Sequence, residues 1–149
     1  MDKNVIISLK GNQGARGYFG DDLELVTEGR YYKKEGAYYI TYNESEVTGM
    51  EGTTTTLKIH DGVITLMRTG AVNAQFVFER GRKHLSYYDT AYGAFTVGVF
   101  TNDLNINIDE NGGEIWVDYK LEIDNNKTGE NDFYMQIREV GQTNDKCCG

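Results

Sequence analysis

The sequence predicts an all-β fold, a single antiparallel up-and-down β-barrel of eight to ten strands. Between Leu104 and Ile123, two runs of alternating apolar and polar residues flank a Gly-Gly turn, as expected of strands with one buried face and one solvated face. The same alternation recurs along most of the chain, and no proline interrupts it. Many half-buried strands joined by short turns must close on themselves or leave exposed edges, which favours a closed barrel over a Greek-key sandwich.

The first three predicted strands follow from apolar alternation and from tyrosine content. In Lys3–Lys10 every second residue from Val5 is apolar. The segment 11–20 contains four glycines, but their spacing does not match a phosphate-binding loop, so we interpret the segment as a flexible connection. Leu23–Lys33 and Ala37–Asn43 then form a tyrosine-rich hairpin.

The next four strands form two further hairpins. Thr53–His60 and Val63–Arg68 flank Asp61-Gly62, a dipeptide typical of a two-residue type I′ turn. The run of threonines from 53 to 56 favours a strand because β-branched residues fit a pleated surface. Ala74–Arg80 and His84–Thr90 continue the same up-and-down order.

The last three strands need one irregularity. Within Ala94–Ile108 the apolar residues change from odd to even positions, which predicts a β-bulge near Asn102-Asp103. Gly113–Asp124 and Asp132–Val140 complete the set. Residues 141–149 carry no pattern and are expected to be a loose tail.

Length, charge and cysteine content limit the class of protein. The 149 residues suit one domain, spanning 1–149 with an ordered core of about 3–140. A net charge of −8 without a basic stripe argues against nucleic acid as a partner. We expect no signal peptide and no membrane-spanning helix. Two adjacent C-terminal cysteines, Cys147 and Cys148, fit a reducing cytoplasm.

No motif for catalysis or metal binding is present. His60 and His84 are isolated, and neither has a partner at metal-ligand spacing. Carboxylate pairs such as Glu44 and Glu46 lie near strand ends, where we expect solvated edges rather than acid–base pairs. The sequence therefore predicts no cofactor, no metal and no catalytic residue.

Two arginines form the most specific candidate for a ligand site. Arg68 lies at an alternate position from Ile64 and Leu66, so the three residues have the same parity and share one face of their strand. Arg80 has the same relation to Phe76 and Phe78. If these apolar faces point inward, both guanidinium groups enter the barrel, where burial is costly without an anion or several acceptors. In the alternative, which we favour, one or both arginines lie at strand ends and reach the rim to pair with acids.

Tyrosines supply a second candidate wall, since a phenol combines an apolar ring with a hydroxyl that can orient a ligand. The candidates are Tyr31, Tyr39, Tyr42, Tyr88, Tyr92 and Tyr119. For each of them, pairing across strands on the sheet surface is the alternative. Trp116 falls on a polar strand face, and its exposure is mild support for a homodimer contact.

Three segments, which follow one another in the sequence, resemble the YwiB-like proteins, a small bacterial family of unknown function. They are VITLMRTGAV at 63–72, FVFERG at 76–81 and YDTAYG at 88–93, and the hairpin with GRYY at 29–32 and YYITY at 38–42 is also similar. The resemblance covers about residues 3 to 140 and implies a calycin-like, lipocalin-type barrel. It implies no reaction and no ligand.

Three functions are consistent with these observations. The first is non-catalytic binding of a small apolar or amphipathic molecule, including an anionic one, inside the barrel, because eight strands leave an interior that either fills or holds one small ligand. The second is a filled barrel that acts as a protein-interaction or homo-oligomeric module. The third is an enzyme of isomerase or cyclase type that uses tyrosine and arginine in a cavity.

Overall fold

The computed structural model describes residues 2–12, 23–45, 51–91, 93–124 and 126–140, and every regular element among them is a strand. The ten strands are β1 (Asp2–Asn12), β2 (Leu23–Lys34), β3 (Ala37–Asn43), β4 (Thr53–His60), β5 (Val63–Gly70), β6 (Asn73–Phe78), β7 (Lys83–Thr90), β8 (Gly93–Asp109), β9 (Gly112–Ile123) and β10 (Asn126–Glu139). The described residues contain no helix long and apolar enough to span a bilayer.

The strands form one closed antiparallel barrel in which each strand pairs with its neighbours in sequence. Pairing of β1 with β10, through registers such as Ile7 with Ile137, closes the sheet. The predicted fold class and up-and-down connectivity are confirmed, at the upper end of the predicted strand number. Because the sheet closes, neither its first nor its last strand has an unpaired edge that could pair with another chain.

Two local predictions are also confirmed. Asp61 and Gly62 have φ values of 50° and 76°, the positive pair that a type I′ turn requires. In β8 the register with β9 shifts between Thr101 and Asp103, at the predicted bulge. The shift moves the buried parity of β8 from Val99 to Leu104, so both halves of this long strand contribute to one core.

The two ends of the barrel differ. At the first, the carboxyl ends of the even-numbered strands meet the amino ends of odd-numbered ones through short turns such as Glu35-Gly36 and Asp61-Gly62. We call this the closed end, because its interior is filled by Tyr31, Ile64 and Ile115, all fully buried. The opposite end, where β3 and β5 finish and β4 and β6 begin, is called the open end.

An aromatic cluster fills the middle of the barrel. The Phe78 ring packs edge-on against Tyr119 and Phe133, with centroids 5.1 and 5.7 Å apart. Aromatic rings in this arrangement add to the burial of their surface. The interior between the closed end and this cluster is therefore a packed core. Polar side chains point into the barrel between the cluster and the open end.

Candidate functional site

Six inward-facing residues form a continuous row across neighbouring strands near the open end. Each is the register partner of the next, from β3 through β8. In order around the barrel wall they are Tyr42, Thr55, Arg68, Ala74, Tyr88 and Phe95. We call this set the inner row; it is polar at the β3 end and aromatic at the β8 end.

The polar part of the inner row contains a buried charge pair. Arg68 Nε lies 3.8 Å from Glu44 Oε2, and the two side chains are 18% and 1% exposed. Glu44 directly follows β3 and is fixed there because its amide donates to the Thr53 carbonyl at 2.8 Å. Thr55 donates its hydroxyl proton to Glu44 Oε2 at 2.5 Å. The pair thus brings two opposite charges and a hydroxyl into the barrel.

This pair is incompletely hydrogen-bonded. Among the described residues, Glu44 Oε1 and Arg68 Nε are buried without a hydrogen-bond partner. Buried polar atoms in folded proteins are nearly always satisfied by other protein groups or by ordered water. The arrangement therefore leaves one buried acceptor and one buried donor side by side without a protein partner.

Two tyrosines complete the polar environment. Burial and the Glu44 carboxylate raise the pKa of Tyr42, whereas Arg68 acts in the opposite direction. Burial raises the pKa of Tyr119 to about 12, and Arg68 again opposes the shift. Both phenols stay protonated at neutral pH, so each keeps a hydrogen-bond donor in the interior. Tyr119 lies across the barrel on β9, so Arg68 influences both walls.

The aromatic part of the inner row remains accessible to solvent. Ala74 and Tyr88 are partly buried against the core, and Phe95 on β8 and Ile123 on β9 are 36% and 38% exposed. Phe95 has the parity of the buried Val97 on β8, and Ile123 has the parity of the buried Val117 on β9, so both belong to the inner face. An apolar surface next to a polar one therefore lines the open end.

Arg80 does not join Arg68. Its side chain is 62% exposed and pairs with Asp103, with Nε donating to Oδ1 at 2.8 Å. A second guanidinium nitrogen donates to the Leu104 carbonyl. Arg80 follows β6 at the closed end, whereas Arg68 lies near the end of β5 at the open end. The structure thus separates the two arginines by placing one inside and one at the rim.

The predicted tyrosines also separate. Tyr42, Tyr88 and Tyr119 lie inside near the polar pair, but Tyr31 lies at the closed end, where its hydroxyl donates to the Asp109 carbonyl at 2.6 Å. Tyr39 stacks on Tyr32 with ring centroids 5.1 Å apart, on the outward parity of both strands. Tyr92 lies outside the described residues.

The sequence analysis missed several members of the site. Glu44 was expected to be a solvated carboxylate, and the structure corrects this, because its side chain is buried beside Thr55. Glu44 has the same parity as the buried Ile40 and Tyr42 of β3, so extending the alternation by one step past the end of the strand would have placed it inside. Thr55 and Phe95 also share the parity of buried neighbours and could have been placed inside.

Across the strands and turns that the structure describes, no three His, Cys, Asp or Glu side chains are placed to hold an ion together. Glu44 is the acidic member of the inner site, and its neighbours are hydroxyls and a cation. The chemistry that the site offers is hydrogen bonding and charge recognition.

Comparison with known proteins identifies a family, a curated relative and a solved structure to which the chain is similar. The family model described as "Domain of unknown function (DUF1934)" matches residues 7–135. The curated protein "Uncharacterized beta-barrel protein YwiB" of Bacillus subtilis (strain 168) is 27% identical over 118 residues, which cover 79% of this chain and 77% of that protein.

The crystal structure of the ywiB protein from Bacillus subtilis superposes with a TM-score of 0.80 at 22% identity. The match covers 93% of this chain and 92% of that one. At this identity the superposition supports the fold, including its closed all-strand architecture. It assigns no ligand and no activity to the inner row.

Proposed function

Since the chain belongs to the DUF1934 family, whose description names no activity, we propose a function from the site itself: the protein binds a small amphipathic molecule at the open end of the barrel. Its polar head lies against Glu44 and Arg68, and the adjoining carbons lie against Ala74, Tyr88 and Phe95. The observation that carries the proposal is the buried charge pair with a free acceptor and a free donor.

The energetic cost of this pair supports a binding role. Two charges removed from water lose hydration that their attraction repays only in good geometry. Here the nitrogen and oxygen are 3.8 Å apart, which is too far for a hydrogen bond. A well-packed apolar pair of similar volume is often as stabilising as such a pair or more so, so the charged groups fit a function in which a bound head group completes their hydrogen bonds.

The same geometry favours a particular kind of head group. Arg68 attracts an anion, but Glu44 repels it at nearly the same place, so the pair carries no net charge. A head group with both an acceptor and a donor, such as a diol, satisfies Arg68 Nε and Glu44 Oε1 together. The binding of simple anions is then weaker than that of neutral polar heads with equal tails.

A titration with three ten-carbon amphiphiles tests the proposal. We expect glycerol monodecanoate to bind more tightly than decanoate, and decyltrimethylammonium to bind weakest. Arg68→Met removes a charge-assisted hydrogen bond and should weaken the first ligand about ten- to a hundredfold. Arg80→Met is the matched control, because its guanidinium lies at the rim on Asp103, and it should leave all three affinities unchanged.

Two results would contradict the proposal. One is the absence of saturable binding by all three compounds, together with no co-purifying mass in native mass spectrometry of the protein from its own host. The other is equal weakening by Arg68→Met and Arg80→Met. If Arg68→Met unfolds, the double variant with Glu44→Met, which removes both buried charges, replaces it.

A second candidate is a protein-interaction module. The packed aromatic cluster in the middle of the barrel favours it, because a filled barrel presents its outer surface as its main recognition surface. Sedimentation of the wild-type protein over a wide concentration range distinguishes the candidates. Self-association without ligand binding would favour this second function.

A further inference from the structure

The barrel wall is interrupted between β6 and β7. Register partners join the two strands at Asn73 with Asp89 and at Ala74 with Tyr88, although both strands continue beyond these pairs. The turn at 79–82 holds them together again at the closed end. Within the described strands, the intervening backbone of β6 and β7 is therefore not joined into a ladder, and we call this stretch the seam.

A groove of about 450 Å³ runs along the outside of the seam, a volume in the range of small-molecule sites. Its apolar lining comprises Ala74, Val77, Leu85 and Tyr87. Leu85 and Tyr87 alternate along β7 on its outward face and are 71% and 76% exposed. Ala74, whose side chain belongs to the inner row, also borders the groove, so only the thickness of the wall separates the groove from the inner site at this residue.

The interior offers a long tail little room beside the seam. The Phe76 and Tyr88 rings stack with centroids 5.9 Å apart just inside the wall, and the aromatic cluster of Phe78, Tyr119 and Phe133 closes the barrel below them. A tail that starts at Arg68 and passes Ala74 meets these rings in the interior. The groove outside Ala74 is the apolar surface that continues its path.

We propose, on the basis of the binding function above, that the seam holds the outer part of the ligand tail. The ligand is then a single-chain amphiphile whose head contacts Glu44 and Arg68. Because β6 is paired with both neighbours at Ala74, the tail leaves through the open end and bends over the rim beside Ala74 to reach the groove. The terminal carbons cover Leu85 and Tyr87. The exposed apolar pair on β7 and the interrupted ladder are thereby parts of one binding site rather than separate surface features.

The test compares two tail lengths on the same head. Glycerol monooctanoate and glycerol monododecanoate are titrated below their aggregation limits into the full-length protein. Each buried methylene contributes about two- to fourfold in affinity, so the longer ligand should bind the wild type at least about tenfold more tightly. Leu85→Ser should remove most of this gain and leave the shorter ligand unchanged.

Val26→Ser is the matched control. Val26 lies on β2 and is 69% exposed, close to the value for Leu85, but it does not line the groove. It should change neither affinity. Equal losses in the two variants would show non-specific adsorption and would overturn the proposal.

Two other outcomes separate this inference from the function on which it rests. If both ligands bind and respond to Arg68→Met but Leu85→Ser leaves the gain from tail length intact, the tail lies elsewhere and the inference is wrong while the binding function stands. If neither ligand binds the wild type, the binding function fails and the seam proposal fails with it.

Discussion

The closed and open ends of the barrel use the same strands and the same alternation, yet their inward side chains differ in burial and in charge. At the closed end the inward positions of β2, β5 and β9 carry Tyr31, Ile64 and Ile115, all fully buried. At the open end the inward positions of β5 and β9 carry Arg68 and Ile123, both partly exposed. One end is a core and the other is a lined opening.

The difference shows how one barrel can separate stability from recognition. Burial of apolar surface scales with the area removed from water, so the closed end and the middle provide most of the stabilisation. The open end gives up part of that burial and holds a charge pair whose geometry is not optimal. Substitutions at the two ends should accordingly affect different measurements.

The largest effect is expected from matched truncations on β9. Ile115→Ala removes a fully buried side chain and should lower the free energy of unfolding by about 2–5 kcal/mol. Ile123→Ala, on the same face of the same strand, removes a partly exposed side chain and should cost less than about 1 kcal/mol. Urea denaturation measures both values. Equal losses would mean that the open end is as tightly packed as the closed end.

The next effect concerns the charge pair. Arg68→Met leaves the Glu44 carboxylate buried beside Thr55 without its cation, and we expect a loss of about 2–4 kcal/mol. Glu44→Met should cost less, because Arg68 already reaches solvent. The double variant should recover most of the loss, since replacing a buried pair with apolar groups is often neutral.

A double-mutant cycle measured by denaturation gives the coupling between Glu44 and Arg68 directly. Additive losses in the cycle would show that the two charges do not interact. Whether Arg68→Met lowers or raises the free energy of unfolding depends on Glu44, a partner that strand parity does not reveal. If an inward arginine had no carboxylate beside it, the same substitution would be stabilising.

Alkaline pH provides a third test of the open end. The pKa of Tyr119 is raised to about 12, against about 10 in an unfolded chain. Between these values the unfolded state loses the proton while the folded state keeps it. The stabilisation is therefore complete below pH 10 and falls by about 1.4 kcal/mol per pH unit as the pH rises toward 12.

Tyr119→Phe should remove this part of the alkaline slope. Tyr31 and Tyr42, whose pKa values are also raised by burial, should maintain the remainder. The measurement is the free energy of unfolding at several pH values for the wild type and the variant. An unchanged slope in Tyr119→Phe would contradict the placement of this phenol in the interior.

Much of the fold could be predicted because it depends on local rules. Alternation alone placed Ile115 and Val117 on the inner face of β9, and turn chemistry placed Asp61-Gly62 in a hairpin with positive φ. A change of parity located the bulge between Thr101 and Asp103. Each of these features is encoded within a few consecutive residues.

The site depends on contacts between distant strands and could be predicted only in part. Parity placed Arg68 inside but gave the same indication for Arg80, which lies beyond the end of β6 and turns to Asp103. Parity is reliable only while a strand is paired on both sides. Glu44 follows its strand and becomes buried through Thr53 and Thr55 of the next one, a contact that no local pattern contains.

The smallest expected effect isolates the hydrogen bond at the closed end. Tyr31→Phe keeps the buried ring and its stacking on Tyr38 but removes the hydroxyl that donates to the Asp109 carbonyl. The loss should be about 1 kcal/mol in the free energy of unfolding, the usual net contribution of one hydrogen bond. Tyr39→Phe is the matched control, because Tyr39 stacks on Tyr32 on the outer parity, and it should change stability by less than about 0.5 kcal/mol. Because the Tyr31 hydroxyl donates to the Asp109 carbonyl and Tyr31 is not a member of the inner row, neither variant should alter amphiphile binding. A change in affinity for Tyr31→Phe would show that the two ends are coupled. It would contradict the conclusion that the closed end stabilises the barrel while the open end binds the ligand.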